Sequence, residues 1–229
     1  ISFENKHLAA INYEITPLNF DGSIKIVSAL NGDVSNLTTE NDPRVGSNFD
    51  GSVLSLEDAI MEKSFGALVQ STKHTKFTLV CAMENEIKTE SSWHIENVVE
   101  DSRVEAHYTI DGEKNKKISL SKYISYLTSK DYEEETLLQR AKDVVNKSKE
   151  DGFDLISKAQ KNFLAGYWNK ADVVIKGDPA LQQGIRFNIF HLLQSVGRDG
   201  KTNIAAKGLT GEGYEGHYFW DTEIYMLPF

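Results

Sequence analysis

The chain has 229 residues, 40% of them hydrophobic and 26% charged, a composition typical of one large globular domain or one and a half ordinary ones. Its 34 acidic residues outnumber 25 basic ones and give a formal net charge of −9, which argues against nucleic acid or an anionic membrane as a partner. No apolar run approaches the roughly 20 residues of a membrane-spanning helix. The single cysteine, Cys81, excludes a disulfide framework and favours a cytoplasmic location.

A hydrophobic period of two dominates the first 130 residues and predicts antiparallel β-structure. Apolar and polar residues alternate in segments 9–16 and 104–110, which is the pattern of half-buried strands. Further strands are predicted for segments 24–30, 67–70 and 77–83, with Asn, Asp and Gly turns between them. These segments predict an antiparallel β-sandwich. The polar stretch 35–51 carries no assignable pattern.

Near residue 131 the hydrophobic period changes to 3.6, which predicts helices. Asp131 followed by Glu134 resembles a capping box at the start of the first helix. A second helix is predicted to follow Gly152. The apolar stripe of the first helix consists of Leu137, Leu138, Ala141, Val144, Val145 and Ser148.

A third helix is predicted to start at Asp178, an N-cap residue followed by Pro179 at the first helical position, and to end at Gly197. Its predicted apolar stripe consists of Leu181, Ile185, Ile189, Leu192 and Val196. Strands and helices thus occupy separate blocks of the sequence. This order indicates a β domain joined through a helical connector to an α domain, rather than an alternating βαβ fold.

The segment 207–229 combines glycines, aromatic residues and carboxylates in a way that suggests sugar binding. Trp220 and Asp221 lie at its centre. A pyranose ring packs its C–H face on an indole, and its hydroxyls donate to an ionised carboxylate. From the spacing alone, the alternative is a helix start that packs Phe219, Trp220 and Ile224 into a core, with Asp221 and Glu223 at the positive end of the helix dipole.

Two other motifs in this segment carry less weight. Residues 211–216 match the GxGxxG pattern of dinucleotide-binding proteins, but no βαβ unit surrounds them and two glutamates would repel a pyrophosphate. His217 and Asp221 have the i, i+4 spacing of metal ligands, yet no second histidine lies nearby at ligand spacing. No metal site is therefore predicted. His191 is expected to be a packed or half-exposed histidine.

The same segment closely resembles glycoside hydrolase family 65, the kojibiose, maltose and trehalose phosphorylases. The resemblance rests on residues 208–214 (Gly-Leu-Thr-Gly-Glu-Gly-Tyr), 217–223 (His-Tyr-Phe-Trp-Asp-Thr-Glu) and 225–229 (Tyr-Met-Leu-Pro-Phe), with weaker echoes at 7–19 and 183–187. It implies a multi-domain α+β protein with an N-terminal β super-sandwich, linker helices and an (α/α)6 barrel. The expected domains are an incomplete sandwich over residues 1–131, a helical linker over 132–171 and the first part of the barrel over 172–229.

The resemblance also implies a reaction. Members of the family cleave an α-linked glucosyl disaccharide with inorganic phosphate, invert the anomeric centre and release β-glucose 1-phosphate. The matching positions imply that Trp220 and Asp221 bind the non-reducing glucose. The general-acid glutamate is expected after Phe229, so no catalytic residue is assigned within the chain, and Glu223 is not given that role. The expected partners are disaccharide and phosphate, with no cofactor, and the full-length protein is expected to be a homodimer.

The chain begins at Ile1 and stops at Phe229 without a polar tail, and we therefore expect a piece of a longer protein. Because the resemblance places the general acid and the phosphate-binding residues after Phe229, we expect the chain alone to be inactive. Two other functions remain open. One is a related hydrolase such as a trehalase, which would use water in place of phosphate. The other is a carbohydrate-binding β-sandwich module without chemistry of its own. We also expect exposed apolar barrel surface around four residues: Ile189, Leu192, Phe219 and Phe229.

Overall fold

The computed structural model describes residues 1–35, 42, 44, 51–207 and 213–226, with the backbone alone at Glu215 and Glu223. Residues 208–212 and 227–229 of the segment that suggested sugar binding, and most of the stretch 35–51, lie outside the described residues. The chain divides into two compact units. The first unit comprises Ile1–Val34 and Leu54–Lys161, and the second comprises Ser35–Val53 and Asn162–Phe229.

The first unit contains two antiparallel sheets. Within the described residues its strands are β1 (Leu8–Ile15), β2 (Gly22–Asn31), β3 (Leu54–Glu62), β4 (Phe65–Thr72), β5 (Thr78–Lys88), β6 (Trp93–Glu100), β7 (Arg103–Gly112) and β8 (Ile118–Thr128). The five-stranded sheet has the order β1-β8-β5-β4-β3, and the three-stranded sheet has the order β2-β7-β6. All pairings are antiparallel, as the sequence predicts.

A hydrophobic core fills the space between the two sheets. Strand residues alternate between faces, so every second side chain of β2 and β7 points at the five-stranded sheet. These side chains meet the inner face of the larger sheet in two clusters: Leu30, Leu68, Met83 and Val104 in one, and Ile26, Ala106, Tyr108, Ile110, Ile118 and Leu120 in the other. This packing makes the sandwich that the sequence predicts.

The opposite face of the five-stranded sheet packs on a helix, α1 (Leu137–Ala171). Leu137, Ala141 and Val145 of this helix are buried against the strands. The Ser125 hydroxyl of β8 donates to the Ala141 carbonyl at 3.0 Å, which fixes the helix on the sheet. The sheet residues in this cluster are Phe65, Ala67, Val80, Ala82, Tyr123 and Leu127. Because both faces of the larger sheet are covered, its central strand β5 is apolar on both sides.

For α1, the sequence predicted the break at Gly152 correctly but not the cap at its start. The capping box at Asp131 and Glu134 is wrong, because both carboxylates are used elsewhere. Asp131 accepts from Lys6 Nζ at 3.0 Å, and Glu134 accepts from the Thr78 hydroxyl at 2.7 Å. The helix instead follows a single 3-10 turn, Glu134–Thr136. The predicted break at Gly152 is confirmed, since its φ of 78° is one that L side chains rarely adopt.

The second unit contains helices α2 (Pro179–Ser195) and α3 (Asp221–Met226). The predicted N-cap is confirmed: Asp178 accepts from the backbone N–H groups of Ala180 and Leu181, at 2.9 and 3.1 Å. The predicted end at Gly197 is wrong, because α2 ends at Ser195 and Val196 already has an extended backbone.

The predicted apolar stripe of α2 is only partly buried. Ile189 and Leu193 are its buried residues, whereas Leu181 is 59% exposed. Leu193 was not part of the predicted stripe, so the inward face is rotated from the expected one. None of the helices in the described part of the chain is both long enough and apolar enough to cross a membrane.

Candidate functional site

The site region begins where α2 is anchored. Arg186 binds Asp172, the residue after α1, through two parallel hydrogen bonds: Nε to Oδ1 at 2.8 Å and a terminal guanidinium nitrogen to Oδ2 at 2.6 Å. The guanidinium holds the pKa of the Asp172 carboxyl below its ordinary value. The Gln182 amide bonds to the backbone of Val173 and Ile175. Arg186 therefore has a positioning role in the fold.

A tight loop follows α2 and is built around Asp199. One carboxylate oxygen of Asp199 accepts from the backbone N–H groups of Lys201 and Thr202, at 2.9 and 3.0 Å. This is the turn that an aspartate favours because its side chain can replace a backbone acceptor. Gly197 allows the loop to close, since a Cβ at this position would lie 2.5 Å from Cβ of Thr202.

The loop then meets the turn that precedes Trp220. Residues Gly213–Gly216 form a 3-10 turn, in which the His217 N–H donates to the Tyr214 carbonyl at 2.9 Å. The Asn203 amide nitrogen donates to the Gly216 carbonyl at 2.8 Å. The loop after α2 and the turn before α3 are therefore directly linked.

The residues with the strongest sequence signal lie at the start of α3. Asp221 is the first residue of this helix, and the Thr222 N–H donates to the Phe219 carbonyl at 3.1 Å. The Phe219 ring packs edge-on against Tyr214, with 5.1 Å between ring centroids. In contrast, the Trp220 side chain is 90% exposed.

A cavity of about 740 Å³ lies beside this helix start, within the second unit. Its wall is formed by α2, residues 204–207 and α3, and Asp221 is one of its lining residues. Trp220 is not among the residues that line it. The volume falls in the range of about 300–1,000 Å³ that is usual for small-molecule sites. Its polar lining side chains include Asn188, His191, Gln194, Asp221, Thr222 and Tyr225.

This arrangement suits a hydroxyl-rich ligand, because its charged lining side chains are one carboxylate, Asp221, and one ammonium group, Lys207, whose charges offset each other. A carboxylate and several amide and hydroxyl groups can exchange hydrogen bonds with sugar hydroxyls, while the apolar wall contacts C–H groups. The structure brings Asp221 to the cavity and leaves the Trp220 indole in solvent, one residue away. The two predicted site residues are thus adjacent, but only one of them faces the cavity.

Within this chain, the described residues of the segment do not form the core of the alternative interpretation. Its helix start is present at Asp221, but Trp220 is 90% and Ile224 is 71% exposed. The expected apolar exposure is confirmed for Phe219, at 38%, and wrong for Ile189, at 1%. Leu192 is half-buried, and Phe229 lies outside the described residues.

The two histidines of this unit differ in their burial. His191 is half-buried beside Phe187, with 4.2 Å between ring centroids, as the sequence predicts. His217 is exposed. In the part of the chain that the structure describes, no three His, Cys, Asp or Glu side chains gather in a metal-binding group.

Sequence reasoning missed Asn203 and the loop that holds it. An asparagine bonded to a carbonyl 13 positions later leaves no periodic signal. The Asp199-Gly200 pair, which commonly marks a turn, was the available hint.

Two family models match the chain. Residues 1–167 match the N-terminal domain of glycosyl hydrolase family 65, and residues 186–229 match the central catalytic domain of the same family. The N-terminal match covers the two sheets, and the catalytic-domain match covers the site region.

Similar proteins include several phosphorylases. The chain is 51% identical to the α,α-trehalose phosphorylase of Thermoanaerobacter brockii and 36% identical to the maltose phosphorylase of Bacillus subtilis, in both cases over its whole length. It spans only 30% and 29% of the lengths of these relatives. A solved structure assigned as a kojibiose phosphorylase from the human microbiome matches 97% of the chain and 28% of its own, with a TM-score of 0.78 and 26% identity.

Proposed function

The chain belongs to glycosyl hydrolase family 65, and from this premise we propose that it is part of an inverting disaccharide phosphorylase. The enzyme would cleave an α-glucosyl disaccharide with inorganic phosphate and release β-glucose 1-phosphate and a second sugar. The observation that carries this proposal is the pairing of an exposed Trp220 with Asp221, which lines a cavity of about 740 Å³. The match of residues 186–229 to a catalytic domain supports it.

We propose the following reaction. A carboxylic acid protonates the glycosidic oxygen as the bond to the anomeric carbon breaks, and a phosphate oxygen attacks that carbon from the opposite face. An inverting hydrolase needs a second carboxylate to deprotonate water. Phosphate arrives as an anion, so the second carboxylate is not required. The acid and the phosphate-binding groups would come from a part of the protein after Phe229, and no organic cofactor or metal would be needed.

Trp220 and Asp221 would hold the glucosyl unit that is transferred. The indole would stack on the C–H face of the ring, and the Asp221 carboxylate would accept from two of its hydroxyls. During the reaction the ring flattens toward an oxocarbenium ion. Hydrogen bonds that strengthen as the ring flattens bind the transition state more tightly than the substrate, and only such interactions accelerate the chemical step.

The first candidate substrate is α,α-trehalose. Two trehalose phosphorylases, from Thermoanaerobacter brockii and Geobacillus stearothermophilus, are 51% and 42% identical to the chain. The maltose and kojibiose enzymes of Bacillus subtilis and Caldanaerobacter subterraneus are 36% and 34% identical. The order of identities therefore favours trehalose over maltose and kojibiose.

The direct test measures glucose 1-phosphate release by the full-length protein from trehalose, maltose, nigerose and kojibiose, with and without phosphate. We expect phosphate-dependent cleavage with trehalose as the best substrate. Glucose release that does not depend on phosphate would instead indicate a trehalase-like hydrolase. The isolated 229-residue chain serves as the control, since we expect it to be inactive because it would lack the acid and the phosphate site.

A carbohydrate-binding module is the alternative without chemistry. It predicts that residues 1–130 alone bind sugar, whereas the proposed site lies in the second unit. Calorimetric titration of that segment with trehalose separates the two, because measurable affinity would favour the module. The remaining parts of the proposal are a cytoplasmic location, the first part of an (α/α)6 barrel over residues 172–229 and a homodimeric full-length protein. Domain boundaries at residues 131 and 171 also stay predictions.

A further inference from the structure

The turn before Trp220 includes residues with positive φ angles. Tyr214 and Gly216 have φ angles of 62° and 74°, and a positive φ at a residue other than glycine costs free energy. A backbone hydrogen bond of the turn runs from the His217 N–H to the Tyr214 carbonyl at 2.9 Å. Such a conformation persists when neighbouring groups support it.

That support comes from the loop after α2. The Asn203 amide nitrogen donates to the Gly216 carbonyl at 2.8 Å, across 13 positions of sequence. Asn203 follows directly on Thr202, whose N–H is bound by the Asp199 carboxylate at 3.0 Å. The close approach of Gly197 to Thr202 ties the same loop to the end of α2. Asn203 thus connects the loop after α2 to the turn.

The position of the Trp220 side chain depends on this connection. Within the 229 residues of this chain Trp220 is 90% exposed, so the described residues do not hold the indole by packing. The position of the indole is therefore set by the backbone of residues 217–220, which follows directly on Gly216. A displaced indole would contact the sugar ring less closely in the ground state and in the transition state alike, and a loss of such uniform binding raises KM while kcat stays unchanged.

We propose that Asn203 is a positioning residue for the sugar-binding pair Trp220 and Asp221. Its amide fixes the Gly216 carbonyl and thereby the direction in which the chain enters α3. The inference rests on the proposed function, since it assigns Asn203 to the same site. Asn203 does not contact the sugar in this arrangement and takes no part in proton transfer.

The test uses Asn203→Asp in the full-length protein, because aspartate has the same shape but cannot donate to the Gly216 carbonyl. Loss of one hydrogen bond of this kind should raise KM for the disaccharide about fivefold to tenfold, with kcat nearly unchanged. Gly216→Ala, which opposes the positive φ, should change KM in the same direction. Asn203→Gln keeps the amide donor on an exposed residue and should recover most of the affinity. Lys201→Ala is the control, since only its backbone N–H is used in the loop.

Each outcome decides the inference. A rise in KM with an unchanged melting temperature, recovered by Asn203→Gln, supports it. An unchanged KM overturns it, and so does a fall in kcat at constant KM with a lower melting temperature, because that pattern indicates fewer folded molecules. Trp220→Ala is measured in parallel to keep the two proposals apart. If Trp220→Ala has no effect, the proposed site is wrong. If it has a large effect while Asn203→Asp has none, only the positioning role of Asn203 is wrong.

Discussion

Among the described residues, the most buried aromatic side chains lie in the first unit, and the most exposed one lies in the second. In the first unit, Tyr108 and Tyr123 are 1% and 0% exposed and belong to the clusters that fill the sandwich. In the second unit, Trp220 and Tyr225 are 90% and 63% exposed. Aromatic surface that is buried stabilises a fold, whereas exposed aromatic surface beside polar groups is available to a ligand. The comparison predicts that truncating a buried core side chain of the first unit changes stability, whereas truncating Trp220 changes activity.

The largest effect is expected for Trp220→Ala in the full-length enzyme. If the indole contacts the transition state, its loss should raise the barrier by about 3 kcal/mol, or more than a hundredfold in kcat/KM. The melting temperature should stay nearly unchanged, because the exposed ring contributes little to packing. Trp93→Ala is the matched control, since this indole lies in the first unit and is 46% exposed. Equal kcat/KM for wild type and Trp220→Ala would refute the proposed role of Trp220 in activity.

The converse effect is expected for Leu68→Ala in the core between the sheets. Leu68 is 1% exposed, so truncation leaves a cavity and should lower the free energy of unfolding by about 3 kcal/mol. Urea unfolding of the full-length protein, followed by circular dichroism, measures the change. Leu181→Ala, at a residue 59% exposed in the second unit, should cost far less. Similar losses for both leucines would argue against the core described above.

A smaller effect is expected at the start of α2. Asp178→Ala removes the acceptor for two backbone N–H groups and should destabilise the helix by about 1 kcal/mol. Asp178→Ser should retain most of the stability, because serine also caps helices well. Thermal unfolding of the three proteins gives the order. If alanine and serine are equally stable, the cap contributes nothing measurable.

The smallest effect concerns a thiol that takes no part in the site. Burial raises the pKa of Cys81 to about 11, so the folded protein holds the thiol proton well above the pH at which an exposed thiol ionises. Alkylation by iodoacetamide at pH 8 should therefore be slow in the folded protein and fast in urea. The difference should shrink as the pH rises toward 11. Rapid alkylation of the folded protein at pH 8 would contradict the raised pKa of this half-buried thiol.

The strands that were predicted and those that were missed differ in a physical way. β7 alternates between buried and half-exposed residues, so its period of two is plain in the sequence. In β8, Ser121 and Ser125 are buried at 5% and 0% exposure, which hides the period because both faces are covered. In β3 the register shifts between Leu56 and Asp58, and the irregularity interrupts the alternation.

The same limit applies to the site. The start of α3 and the position of Asp221 could be predicted, because they depend on neighbouring residues. The bond from Asn203 to Gly216 and the exposure of Trp220 could not, since they depend on how separate segments meet.

The pairing of β1 with β8 has a consequence for biosynthesis. The Ser121 hydroxyl of β8 donates to the Asn12 side chain of β1, a residue 109 positions earlier. β1 can therefore pair with β8 only after nearly the whole first unit has been translated. During that interval β1 is an unpaired strand on a nascent polypeptide, with two apolar side chains, Ile11 and Tyr13, that remain 54% exposed even after pairing. Such long-range pairing is slow and leaves strand edges open to aggregation, so chaperone dependence during synthesis is the expected cost of this topology.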